Sequence, residues 1–175
     1  DIATVDLKSG AYRQVTSGDD TDQHPRWNHA GDRLAFVRRS WTQETSYICL
    51  VNPDGSDLQC PQEWKSLGAP VGWIDHNRVL LLRASGKWSE LVAADVRDYR
   101  LTSLGELASV ASLSPDGRWL ACSCERIGYP PGTWFVVPVG RSLEARPVVV
   151  PRDVAMATIT FSNVGRPPTI SKLSI

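Results

Sequence analysis

One arrangement of residues recurs three times and constrains this chain more than any other feature. His24-Pro25-Arg26-Trp27-Asn28-His29-Ala30-Gly31-Asp32-Arg33-Leu34-Ala35-Phe36-Val37 is followed by Ala69-Pro70-Val71-Gly72-Trp73-Ile74-Asp75-His76-Asn77-Arg78-Val79-Leu80-Leu81-Leu82. The third copy is Ser109-Val110-Ala111-Ser112-Leu113-Ser114-Pro115-Asp116-Gly117-Arg118-Trp119-Leu120-Ala121-Cys122. Each reads as a short strand, a tight polar turn, an Arg and a second apolar strand. With Arg33, Arg78 and Arg118 as markers the spacings are 45 and 40 residues, the period of a propeller blade of four strands. A second hairpin is expected in every copy: 46–51 into 57–60, 89–95 into 99–102, and 133–139 into 145–150.

The rest of the chain agrees with an all-β reading. Gly and Pro are frequent, 13 and 12 residues, and punctuate short apolar segments about every 8 to 12 residues. No stretch sustains helical periodicity; the best candidate, 88–96, reads equally well as a strand. With 175 residues there is chain for one ordinary domain. Its 19 basic and 19 acidic residues balance, which argues against a nucleic-acid binder that works by neutralising phosphates. No run of about 18 apolar residues is present, so no membrane-inserted helix is expected. The opening Asp1-Ile2-Ala3-Thr4-Val5-Asp6 has neither the basic nor the apolar part of a signal peptide.

The first copy and the residues before it resemble the TolB-type β-propeller repeat, also called PD40 or WD40-like. That pattern has a strand ending in Asp, a Gly turn, a strand ending in Leu-Thr, and then Pro-x-Trp-Ser-Pro-Asp-Gly-x-x-Ile-Ala-Phe. Here it reads as the strand to Asp6, Ser9-Gly10, the strand to Thr16, and Pro25 to Phe36. The third copy, Leu113-Ser114-Pro115-Asp116-Gly117-Arg118-Trp119-Leu120-Ala121, carries the core most faithfully. The second departs from it at Ile74-Asp75-His76-Asn77, and 158–175 keeps a weak echo around Val164-Gly165-Arg166-Pro167-Pro168. The resemblance implies a scaffold that is exported and binds partner proteins, placing it in a periplasmic or extracellular compartment. Similar propellers also accompany the catalytic domain of prolyl-oligopeptidase-type peptidases, so an accessory, gating propeller is an alternative; a sensor domain of a bacterial multidomain receptor is another.

The expected units are 1–16 with 156–175, 24–60, 69–103 and 108–150, about sixteen strands in all. Two arrangements fit that count. The first is a closed four-bladed ring sealed by the two chain ends. The second is a fragment of a six- to eight-bladed propeller, whose open edges would invite self-association.

Propeller geometry sorts the loops onto two faces. By the family's convention 17–23, 39–45, 61–68, 85–87, 125–132 and 151–154 share one face. They hold Trp41, Trp64 and Tyr129, with Trp88 and Trp134 near their edges, while the opposite loops are expected to hold no aromatic residue. Exposed aromatics on a rigid scaffold anchor peptides and sugars. Asp20, Asp22, Trp41, Trp64, Trp88 and Tyr129 are therefore the candidate contacts for a protein, peptide or glycan partner. Trp27, Trp73 and Trp119 fall on strands and are read as core or inter-blade packing.

Other chemistry finds little footing. The run Asp19-Asp20-Thr21-Asp22 is acidic, but it lacks the glycine and distal Glu of an EF-hand loop. His24, His29 and His76 are scattered without metal-ligand spacing. No Gly-x-Ser-x-Gly elbow, Gly-x-Gly-x-x-Gly or P-loop pattern occurs, so catalytic residues, metal and cofactor are all expected to be absent. In the hairpin around Pro53-Asp54-Gly55-Ser56, pairing Asn52 with Asp57 and Val51 with Leu58 sets Cys49 opposite Cys60, within disulfide reach. A Cys49–Cys60 bond would imply an oxidising compartment; the alternative is four reduced, buried thiols. Cys122 and Cys124 share a face of one strand and are badly placed to bond to each other.

Overall fold

The computed structural model describes residues 1–85, 88–107, 109–123, 134–139 and 146–148. Their regular structure is all β apart from one turn of 3-10 helix. In chain order the strands are β1 Ala3–Val5, β2 Tyr12–Gln14, β3 Thr21–Trp27, β4 Leu34–Ser40, β5 Thr45–Val51, β6 Gly72–Trp73, β7 Arg78–Ser85, β8 Trp88–Asp95, β9 Leu101–Leu107, β10 Ser109–Leu113, β11 Trp119–Ser123, β12 Trp134–Pro138 and β13 Arg146–Val148. They form four small sheets in which sequence neighbours are spatial neighbours: β1-β2, β3-β4-β5, β6-β7-β8-β9 and β10-β11-β12-β13. Residues 156–175, expected to complete a blade with the N-terminal pair, lie outside the described residues.

The chain falls into two compact units, Asp1–Arg83 with Val92–Thr102, and Ala84–Leu91 with Ser103–Ile175. In the first unit strands β4 and β5 are apolar on both faces. Alternation along β4 and β5 sends Ala35, Ile48 and Leu50 to one side, where they pack with Val79, Leu81 and Val92. It sends Leu34, Phe36 and Val51 to the other, where Ile2 and Val15 of the N-terminal hairpin cover them. A strand buried on both faces reads as a continuous apolar run. Each such side chain contributes about 1.5–3 kcal/mol from burial. In the second unit Leu120, Ala121 and Cys122 of β11 and Phe135, Val136 and Val137 of β12 are buried.

A fourth strand of the first sheet is present only in outline. The backbone N–H groups of Leu50 and Gln59 each donate to the other's carbonyl, at 2.8 and 2.9 Å, and Tyr47 bridges Lys65. Between those points Pro61, which has no N–H to give a ladder, leads into the 3-10 turn Gln62–Trp64. The Leu50–Gln59 register sets Cys49 across from Cys60, and the two are disulfide-bonded with their Cα atoms 4.2 Å apart.

The recurring turns show which residues are equivalent. In the first, Asn28 N–H donates to the Arg33 carbonyl (2.9 Å); in the third, Ser114 N–H donates to the Trp119 carbonyl (2.8 Å). Asn28 Oδ1 accepts the Arg33 N–H, as Ser114 Oγ accepts that of Trp119. Gly31 and Gly117 occupy the same place, with φ of 72° and 70°, a conformation that glycine adopts without strain. Arg33 is therefore matched by Trp119, and Arg118 stands one place earlier in its turn. The middle turn is a residue shorter, closed by Ile74 N–H on the Arg78 carbonyl at 2.8 Å.

Candidate partner-binding face

The loop end of the β3-β4 pair is organised by a buried ion pair. Asp22 lies opposite Arg38 in the ladder, and its two carboxylate oxygens accept Arg38 Nε and Nη2 at 2.8 Å each. The Asp22 side chain is 1% exposed. Hydrogen bonding to Asp22 pushes the Arg38 guanidinium up from its ordinary value, and the charge of Asp20 adds to the effect. Asp22 thus holds two strands together, which corrects its reading as a surface contact. Asp20, half-buried nearby, adds its charge to the pair.

One residue pair further out, Thr21 lies opposite Arg39. Thr21 Oγ1 accepts the indole N–H of Trp41 at 3.0 Å, and the Arg39 guanidinium stands 4.8 Å from the Trp41 ring centroid. Trp41 is nevertheless 59% exposed. Its indole is oriented by a hydrogen bond at its edge and a cation on its face, with much of the ring left for a partner. Arg39 makes no ion pair with any described residue, so its charge is also available.

Arg39 forms one wall of a cleft of about 440 Å3 that also takes in His24, Glu44, Ser66 and Leu67. Three of these residues hold left-handed backbone, His24 at φ 56°, Glu44 at 48° and Ser66 at 57°. Such conformations cost about 1–3 kcal/mol each and persist where the surroundings enforce them. At His24 the cause is a bulge: the β3-β4 register shifts between Gln23 and Arg26. At Ser66 the N–H is held by the Ser46 carbonyl at 2.8 Å.

Trp64 takes no part in this face. It is 0% exposed, its indole N–H donates to the Tyr99 carbonyl at 2.9 Å, and its ring meets that of Tyr99 edge-on. The 3-10 turn points it into the core, so it presents no surface to a partner. Trp88 and Trp134 head β8 and β12 with side chains outside the described set, and Tyr129 lies outside the described residues. Among the strand tryptophans Trp73 is buried and donates its indole N–H to the Arg26 carbonyl at 2.9 Å. Trp27, read as core or inter-blade packing, is 47% exposed. Tyr99, counted with a strand in sequence, falls in the β8-β9 turn, so the opposite loop face does carry an aromatic ring. The sequence signal for Arg39 is its place two residues before Trp41. Among the described residues no three His, Cys, Asp or Glu side chains gather closely enough to hold a metal ion. No helix there is long and apolar enough to cross a membrane.

No protein-family model and no curated protein sequence matches the chain. Solved structures do. TolB of Acinetobacter baumannii superimposes with a TM-score of 0.67 over 91% of this chain at 17% identity, and the match takes up 40% of TolB. An acylaminoacyl peptidase of Pyrococcus horikoshii matches with a TM-score of 0.54 over 77% of this chain at 14% identity, and over 26% of its own length. The fold is that of a TolB-like β-propeller, and the chain spans well under half the length of either structure.

Proposed function

We propose that this chain is a non-catalytic propeller scaffold that binds a protein or peptide partner on the loop face built around Trp41. The observation that carries the reading is the exposed Trp41 indole, fixed by Thr21 and by Arg39, which itself lines a cleft with strained backbone. Rigid aromatic anchors beside an unpaired guanidinium are the groups that dominate peptide recognition. An apolar side chain next to a carboxylate is the complementary feature in the partner. A glycan is the other class an indole face can take, and the cation favours the peptide. The disulfide between Cys49 and Cys60 supports a periplasmic or extracellular setting, since such bonds persist in oxidising compartments.

Peptides selected from a displayed library for binding to the whole chain should lose at least about tenfold in affinity, about 1.4 kcal/mol, to Trp41→Ala. The variant should unfold within about 0.5 kcal/mol of the parent, because the side chain is exposed. Selected peptides that bind Trp41→Ala as tightly as the parent would remove the reading. The likeness to the acylaminoacyl peptidase favours a second reading, an accessory propeller that filters substrates for a hydrolase domain in the same polypeptide. A full-length coding sequence with such a domain attached would establish it.

A further inference from the structure

At the other end of the β3-β4-β5 sheet lies a second cleft, of about 600 Å3, that no reading above assigns. Its lining is almost wholly hydrogen-bonding: Arg33, Asn52, Gln59, His76, Asn77 and Tyr99 surround it, and Val96 is its apolar member. One wall is a closed network. Arg33 Nη2 donates to Asp57 Oδ2 at 3.0 Å and to Gln59 Oε1 at 3.2 Å. Gln59 Nε2 donates to Asp57 Oδ1, and the Tyr99 hydroxyl donates to Gln59 Oε1 at 2.8 Å. Asp57 and Tyr99 both hold left-handed backbone, φ 53° and 58°, a conformation uncommon for an aromatic residue. The strain places the tyrosine oxygen at the cleft and the network keeps it there.

The remaining groups decide what the cleft could take. Both guanidiniums are paired with carboxylates, Arg33 through Nη2 alone with Asp57, its buried Nε having no partner among the described residues, and Arg97 by a two-pronged pairing with Asp95 at 2.9 and 2.6 Å. Asp32 adds a further negative charge to the lining, so an anion is poorly matched. An apolar ligand would strand amides and an imidazole against carbon. The groups with unused capacity both donate and accept. His76 and Asn77 make no side-chain hydrogen bond with any described residue. Asn52 spends its amide N–H on Ser56, and the Tyr99 oxygen retains a lone pair. Groups of this kind in a concave site of a few hundred Å3 match vicinal hydroxyls, each of which donates one hydrogen bond and accepts others. We infer that this cleft is a binding site for a neutral saccharide, on the loop face away from Trp41.

The test is a titration of the isotope-labelled whole chain with glucose, galactose, N-acetylglucosamine and maltose, followed at the side-chain amides of Asn52 and Asn77 and the imidazole of His76. Sodium acetate and cyclohexanol serve as anionic and apolar controls. At least one saccharide should shift these signals saturably. Asn77→Ala and His76→Ala, which remove side chains with no hydrogen-bond partner among the described residues, should each weaken that binding at least about tenfold. Trp41→Ala should leave it unchanged, which separates this site from the peptide face. Absence of saturable shifts with all four sugars overturns the proposal. So do shifts that survive both substitutions, or an equal response to acetate or cyclohexanol.

Discussion

The two loop ends of the β3-β4-β5 sheet are built from similar residues and differ in electrostatics. At the Trp41 end one guanidinium, that of Arg38, is sealed onto a buried carboxylate, while the next, that of Arg39, lies open over an exposed indole. At the far end Arg33 and Arg97 each pair with a carboxylate, and amide, imidazole and phenol groups line the cleft beside them. In the two sites proposed above, one sheet offers two kinds of recognition. Because β4 and β5 are largely buried on both faces, these strands meet solvent chiefly at their ends. The pairing of each guanidinium then decides whether an end offers charge or neutral hydrogen bonds.

The comparison can be broken most severely at its foundation. Asp22→Ala leaves the Arg38 guanidinium largely buried and unpaired, and should destabilise the protein by about 3 kcal/mol. A lowered denaturation midpoint at unchanged slope would register it. Retention of parental stability would mean that the ion pair does not organise the Trp41 end. At the far end Gly55→Ala is the corresponding break. Gly55 holds φ 88°, and an added Cβ would stand 2.8 Å from the Val15 carbonyl oxygen. The expected cost is about 2 kcal/mol, measured in the same way.

The smallest effect sharpens the comparison through pH. Hydrogen bonding from Arg97 holds the Asp95 carboxyl at about 2, below its ordinary 3.8. A depressed folded value means that the ionised form stabilises the fold. Its contribution is complete above about pH 4 and is lost as pH falls towards about 2. Asp95→Asn should therefore flatten that limb of the acid unfolding curve while leaving the Trp41 end untouched. An unchanged limb would place the acid sensitivity elsewhere. Asp116 is a second source to consider: burial opposes its ionisation, yet Ser114 and Arg118 hold it well below the usual carboxylate range.

Much of the fold was legible because period and turn chemistry are local. The recurrence of turn and apolar strand places β3-β4, β6-β7 and β10-β11, and the spacing between copies matches the sheets that form. The four-residue loop around Asp54-Gly55 sets the hairpin register that brings Cys49 across from Cys60. Side-chain direction was less legible. Trp64 sits in a loop by sequence, yet a single 3-10 turn after Pro61 swings it into the core, and no periodic signal marks so short an element. Trp27 belongs to a strand, but the bulge between Gln23 and Arg26 adds a residue and exchanges the faces of everything beyond it. Arg33 and Arg118 look equivalent because they follow their glycines closely. The hydrogen bonds of the turns show that the glycines, not the arginines, are the matched positions. Of the candidate face, Trp41 was visible in sequence, whereas its dependence on Thr21 and Arg39 follows from a ladder register that only the fold displays.

The two-sided burial of β5 also bears on how the chain must be made. Ser46-Tyr47-Ile48-Cys49-Leu50-Val51 contains neither charge nor proline, and all but its first residue are buried in the folded protein. Before β4 and Gln59 pair with it, that segment has the composition that stacks into fibrils. Arg38 and Arg39 precede it and Asp54 and Asp57 follow it, charges that flank an unavoidably sticky stretch and discourage aggregation while the polypeptide is still incomplete.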